Sequence, residues 1–166
     1  MSNGSPLPLA VCEFEIVPVH EPLVGEIEAA IFELGGTDPT AIIGSDQAWY
    51  VRVRWRLRGI LKRHICGTWC ICVYLERLGP GPDIRLECRD VPIDPCLPDR
   101  EYYEAVFNVA PGSVAFDDCG TLYCVAVVLT SKDPCGGAGH ISGFCREACV
   151  LIRQGPVHSP GPASNS

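Results

Sequence analysis

The sequence predicts an all-β fold: two antiparallel sheets packed face to face, built from about seven strands. Three observations carry that prediction. Apolar and polar residues alternate with a period of two over several separate stretches. Those stretches are punctuated by glycine and proline, of which the chain has 17 and 15 in 166 residues. Finally, the strand-like stretches recur at roughly 10 to 18 residues, and the one ambiguous segment, 23–34, is read as a short helix or irregular crossing, because Ile27, Ala30, Ile31 and Leu34 fall at helical spacing while 31–34 also suits a short strand before Gly35-Gly36.

Taken in order, 11–19 alternates Cys12, Phe14 and Ile16 against Glu13 and Glu15 until Pro18, which suits a strand end or edge. The clearest strand is 47–59, where Trp49, Val51, Val53, Trp55 and Leu57 alternate with Arg52, Arg54, Arg56 and Arg58. The arginine stripe suggests either a polyanion surface or cross-strand pairing, with Glu13, Glu15 and Glu104 as partners, and pairing is the expectation. Residues 69–78 place Trp69, Ile71, Val73 and Leu75 inward and Cys70, Cys72 and Tyr74 outward, before a Gly79-Pro80-Gly81-Pro82 turn. In 83–93, Ile84, Leu86 and Cys88 alternate with Arg85, Glu87 and Arg89, and in 101–109 Tyr103, Ala105, Phe107 and Val109 are inward.

The most apolar strand is 118–130, entered through Gly120, with Tyr123, Val125, Val127 and Leu129 inward and Leu122, Cys124, Ala126 and Val128 outward. A last strand is expected from about Gly143 to Arg153. The domain is thus expected to span 11–153, with 1–10 as a flexible N-terminal segment and 154–166 as a disordered Gly/Pro/Ser tail.

These features resemble the immunoglobulin-like class, closest to a fibronectin type III-like β-sandwich. The resemblance covers roughly 47–153 and rests on Trp55, Trp69 and Asp118-x-Gly120-x-x-Tyr123 as a tyrosine corner. It implies a Tyr123 hydroxyl bonded to upstream backbone. Because Val125 stands where antibody-type domains place a cysteine, it implies no inter-sheet disulfide of the antibody kind. The class hosts adhesion, binding and structural roles, so it implies no particular activity.

Composition narrows the function classes. A net charge of −7 argues against nucleic acid as the main partner, since phosphate binding needs clustered Lys and Arg. Membrane insertion is not expected, because no apolar run approaches the roughly 20 residues that span a bilayer. The N-terminus lacks a basic start and apolar run, so the protein is expected to be cytoplasmic, with export by a route not readable from the sequence as the alternative. Eleven cysteines pull the other way, since disulfides persist in oxidising compartments.

Two cysteine-bearing constellations are candidates. With the expected strands lettered A to G, His64 and Cys66 in the B–C loop and Cys135 and His140 in the F–G loop gather at one end, near Cys96. Two thiols and two imidazoles suit tetrahedral zinc, but tight C-x-x-C pairs are missing, so no cofactor is expected, zinc is the alternative, and a Cys66 to Cys135 disulfide is the plainer reading.

The second constellation is the outer C-F-G face: Cys70, Cys72, Tyr74, Leu122, Cys124, Ala126, Val128 and Cys145. Cross-strand disulfides, a metal or redox patch, or coverage by residues 20–46 or another subunit would each explain it, and coverage or subunit contact is the expectation. There is no G-x-S-x-G, phosphate-binding glycine loop, H-E-x-x-H or calcium loop. Asp90 and Asp117-Asp118 suit turns and caps better than catalysis. The expected function is therefore a non-catalytic protein-interaction or assembly module binding a protein partner or forming a homo-oligomer, with a metal- or carbohydrate-binding sandwich, liganded at the loop end, as the alternative.

Overall fold

A computed structural model describes residues 10–16, 23–93, 102–146 and 148–155. The elements are β1 (Ala10–Ile16), β2 (Val24–Glu33), β3 (Ile42–Gly44), β4 (Trp49–Arg58), a 3-10 turn (Ile60–His64), β5 (Gly67–Arg77), β6 (Ile84–Ile93), β7 (Tyr103–Val109), β8 (Thr121–Lys132), β9 (Ala138–Cys145) and β10 (Cys149–Arg153). The protein is nearly all β, in two sheets.

The smaller sheet has the order β1-β2-β4-β7, every pair antiparallel. The larger sheet runs β6-β5-β8, and β9 and β10 lie end to end along the far edge of β8. β3 adds to β10 in parallel. β1 belongs to both sheets: Ala10–Glu13 pair with β2, and Phe14–Ile16 pair with β9. One side of the sandwich is thereby bridged by backbone, while β6 and β7 remain edges opposite it among the described residues.

The inward faces of four strands follow the alternation. Trp49, Val51, Val53, Trp55 and Leu57 of β4 are buried, as are Trp69, Ile71, Val73 and Leu75 of β5, Tyr103, Ala105, Phe107 and Val109 of β7, and Tyr123, Val125, Val127 and Leu129 of β8. Trp55 stacks on Tyr103 with centroids 5.6 Å apart, and Trp69 meets both rings edge-on at 6.4 and 6.0 Å. Truncating one of these aromatics to alanine costs roughly 3–5 kcal/mol, because lost transfer free energy and the resulting cavity add.

The β7–β8 connection is tied to this core. The Tyr123 hydroxyl donates to Ala115 O, eight residues upstream, at 2.8 Å. Arg77 donates to Asp117 at 2.7 Å, and Gly120 turns the chain into β8 at φ 86°, a left-handed conformation that disfavours side chains.

Three expectations are corrected. Residues 24–33 form strand β2, not a helix. Ala29, Ala30, Ile31 and Phe32 are all buried, which erases the alternation and leaves apolar spacing that mimics a helix. Phe32 faces away from the core, yet it is covered by Tyr50, stacked at 5.2 Å, and by the Arg52 guanidinium, 4.3 Å from its centroid. Residues 24–33 and 42–44 also join the sheets as strands, so this region does not cover the outer face of the larger sheet.

The second correction concerns β6, whose pattern changes phase. Tyr74 faces Arg85 but Val73 faces Glu87, so Leu86 is an extra residue in a bulge. Cys88 consequently joins the outer face, opposite Cys72, and Arg89 lies 5.2 Å from the Phe107 ring, a residue of the core.

Third, the last strand is two strands. Val127 faces Cys145 and Cys124 faces Cys149, so the chain advances four residues from Cys145 to Cys149 while β8 advances three. That one extra residue inverts the phase: Cys145 is buried in the core, whereas Cys149 stands outside.

The expected terminal segments fall almost wholly outside the described residues, as does Cys96. Ala10 already belongs to β1.

Candidate functional site

The outer face of the larger sheet is a grid set by strand register. Its rows read Asp90, Cys70, Thr130, Ser142; then Cys88, Cys72, Val128, Phe144; then Arg85, Tyr74, Ala126; and then Glu76, Cys124, Cys149. Within this grid two disulfides, Cys72–Cys88 and Cys124–Cys149, each join directly opposed residues on antiparallel neighbours. Such pairs place Cβ atoms close together on one face, which is what a disulfide needs. The outward cysteines therefore divide into two staples and Cys70.

The expected contact face is only partly assembled. Cys70, Cys72, Tyr74, Leu122, Cys124, Ala126 and Val128 occupy it, but Cys145 does not. Cys124 and Ala126 are buried there, next to the Cys149 link. The exposed apolar groups are Val128 (36% exposed), Leu122 (40%) and a residue the sequence reading did not select, Phe144 (51%). Phe144 sits directly across from Val128. The signal for it was the register of the β8–β9 hairpin, which the misplaced start of the last strand concealed.

Above the first disulfide lies a polar cluster. Lys132 Nζ donates to both Asp90 carboxylate oxygens, at 3.1 and 3.0 Å, and Asp90 also accepts from the Cys70 thiol. Burial pushes the Cys70 thiol above its ordinary value, and the bond to the Asp90 carboxylate pushes it further, so Cys70 stays protonated. The Lys132 ammonium first, and then the Cys70 hydrogen bond, hold the Asp90 carboxyl below its usual range. The bond to Asp90 raises Lys132 in turn. A thiol held in this way is a weak nucleophile.

The loop-end constellation is assembled only in outline. Gly67 sits against the β8–β9 hairpin so closely that a Cβ there would lie 2.0 Å from Lys132 O, which keeps the 3-10 turn and that hairpin at the same end. His64, Cys66, Cys135 and His140 are all exposed, and Cys66 and Cys135 are free thiols rather than a disulfide. Among the described residues no group of three or more His, Cys, Asp or Glu side chains is placed to hold a metal ion. The loop-end zinc reading therefore has no assembled site. A cavity of about 590 Å³ lies elsewhere, at the β3–β10 edge, lined by Glu33, Thr40, Gln47 and Arg153 among others.

The opposite face of the molecule pairs its charges internally. Arg54 contacts Glu28 at 3.3 Å and Glu104 at 3.7 Å, Arg56 donates to Glu26 at 2.6 Å, and Arg58 reaches the same Glu26 at 3.0 Å. Cross-strand pairing is thus what occupies the stripe, with Glu26 and Glu28 of β2 as partners beside Glu104; the side chains of Glu13 and Glu15 lie outside the described residues.

Fold and site together define a two-sheet all-β protein whose larger sheet is stapled on its outer face by two cross-strand disulfides. No protein-family model matches the chain, and no curated protein matches it in sequence. Among the described residues no helix is long and apolar enough to cross a membrane.

Proposed function

We propose that the chain is a fibronectin type III-like module that acts without catalysis, binding a protein partner through the outer face of β5, β8 and β9. The observation that carries this reading is the Val128–Phe144 pair, two exposed apolar side chains directly opposed across β8–β9 and next to the Cys72–Cys88 staple. Exposed apolar groups on a rigid sheet offer the central contact of an interface, whereas the arginine face has little unpaired charge to offer. A partner chain is favoured over a second copy because a net charge of −7 opposes close self-association.

The fold assignment draws on the Tyr123 hydroxyl bond to upstream backbone and on β2-β4-β7 facing β6-β5-β8-β9. β6 pairs with β5 rather than β7, which departs from the constant-type immunoglobulin order and keeps the fibronectin type III-like comparison. The proposed domain spans 11–153.

A photo-crosslinking residue at position 144, with one at position 50 on the other face as control, tests the reading in the native source. Position 144 is expected to give one discrete partner adduct that is lost in Val128→Lys, while the melting temperature stays unchanged. Equal adducts from positions 144 and 50, or none from 144, would sink it. Light scattering reports whether a second copy is the occupant instead.

A further inference from the structure

We propose that reduction of the Cys72–Cys88 disulfide converts the upper part of the sulfur face into a Zn²⁺ site, with Cys70, Cys72, Cys88 and Asp90 as its four ligands. Strand register places these residues at the corners of a rectangle, Cys70 opposite Asp90 and Cys72 opposite Cys88, all on the outer face. Across the strands the Cys72 and Cys88 Cα atoms are 4.1 Å apart. Along each strand, ligands two residues apart are separated by roughly 6.6 Å. A tetrahedral zinc with Zn–S bonds of about 2.3 Å needs donor atoms about 3.8 Å apart. Side chains standing on one sheet face and leaning toward the centre of such a rectangle bring their donor atoms toward that spacing.

The chemistry of the set is selective. Three thiolates and one carboxylate suit zinc and other borderline or soft cations, and they disfavour magnesium and calcium, which take oxygen ligands. Half of the site is already juxtaposed, since Cys70 lies directly opposite Asp90 across β5 and β6. Lys132, 3.0–3.1 Å from both Asp90 oxygens, supplies the outer layer: it orients the carboxylate and offsets the net −2 charge of a zinc bound by four anionic ligands. In the disulfide form two of the four ligands are bonded to each other, and no three-donor group remains there.

The conversion balances as two steps. A dithiol reductant attacks the exposed Cys88 side of the bond, and it leaves as its own disulfide after delivering two electrons and two protons to Cys72 and Cys88. Zinc then binds as the Cys70, Cys72 and Cys88 thiols release three protons to solvent. The face would carry a covalent staple in an oxidising compartment and a metal staple in a reducing one, joining β5 to β6 in both.

Cobalt titration of the full chain under anaerobic conditions, with and without a phosphine reductant, tests this. Reduced protein is expected to take one Co²⁺ with the thiolate charge-transfer and visible bands of tetrahedral coordination, displaced by Zn²⁺; unreduced protein gives none. Cys70→Ser and Asp90→Asn should each weaken zinc by at least ~10-fold, whereas C66S/C135S and C124A/C149A should leave it unchanged. Asp90→Asn keeps the comparison readable should Cys70→Ser fold poorly. The proposal is overturned if reduced, folded protein shows no tetrahedral cobalt spectrum, or if Asp90→Asn and Cys70→Ser bind zinc like the parent. Val128→Lys leaves all four ligands in place, so this result is independent of the partner reading.

Discussion

On the outer face of β2, β4 and β7 the arginines have local partners: Arg52 lies over Phe32, Arg54 joins Glu28 and Glu104, and Arg56 and Arg58 share Glu26. On the outer face of β5, β6, β8, β9 and β10, Cys, Val, Phe and Tyr stand among Arg85, Glu76, Thr130 and Ser142, held by two disulfides and a Cys70–Asp90–Lys132 cluster. Both faces are built on period-two strands over one shared core. The first is held by interactions that water and salt weaken. The second is held by covalent links, and it exposes apolar surface that charge pairing would have hidden. Rigidity and stickiness thus sit together on one sheet, which is why the functional proposals fall there.

That contrast is most strongly broken by removing the staples. C124A/C149A and C72A/C88A are each expected to lower stability by about 2–4 kcal/mol under oxidising conditions, which corresponds to about 4–16 °C in melting temperature by calorimetry. The chain-entropy view puts the first pair slightly ahead, because its separation is 25 residues against 16. A loss no larger than that from one surface arginine would show that the sulfur face is not held covalently.

On the charged face, Arg54→Ala should cost less than about 1 kcal/mol although it breaks contacts to both Glu28 and Glu104, because all three groups are partly hydrated. Chemical denaturation in urea with and without added salt checks this: the difference between parent and variant should shrink as salt rises.

The smallest effect sharpens the comparison through pH. Asp90 has a lowered folded value, so its contribution is present above the ordinary carboxyl range and is lost as pH falls through the lowered one. Cys70 and Lys132 have raised values, so theirs are present at neutral pH and lost as pH rises through the raised ones. Asp90→Asn should therefore flatten the melting temperature on the acid side, and Cys70 should alkylate more slowly at pH 8 than exposed Cys66 and Cys135. Mass-resolved labelling of each thiol reads the second outcome, and equal rates would show that the Asp90 bond does not hold.

Alternation by itself determined which side chains of β4, β5, β7 and β8 enter the core, because a half-buried strand has a period that every residue reports locally. The fibronectin type III-like resemblance marked Tyr123 for its hydroxyl bond to upstream backbone, whereas alternation marked the cysteines of β5 and β8 as outward. Alternation could not show β2 as a strand, since Phe32 and Ala30 are covered on the outer side as well and the period is lost.

Nor could it pair Cys72 with Cys88, or exchange Cys145 for Cys149 on the outer face. Each of those depends on a one-residue excess, Leu86 in β6 and the step from Cys145 to Cys149, that shifts phase without any change in composition. Phase is a local property of a strand, whereas register and bulges are set by the neighbour across the sheet, and only the folded chain brings that neighbour into place.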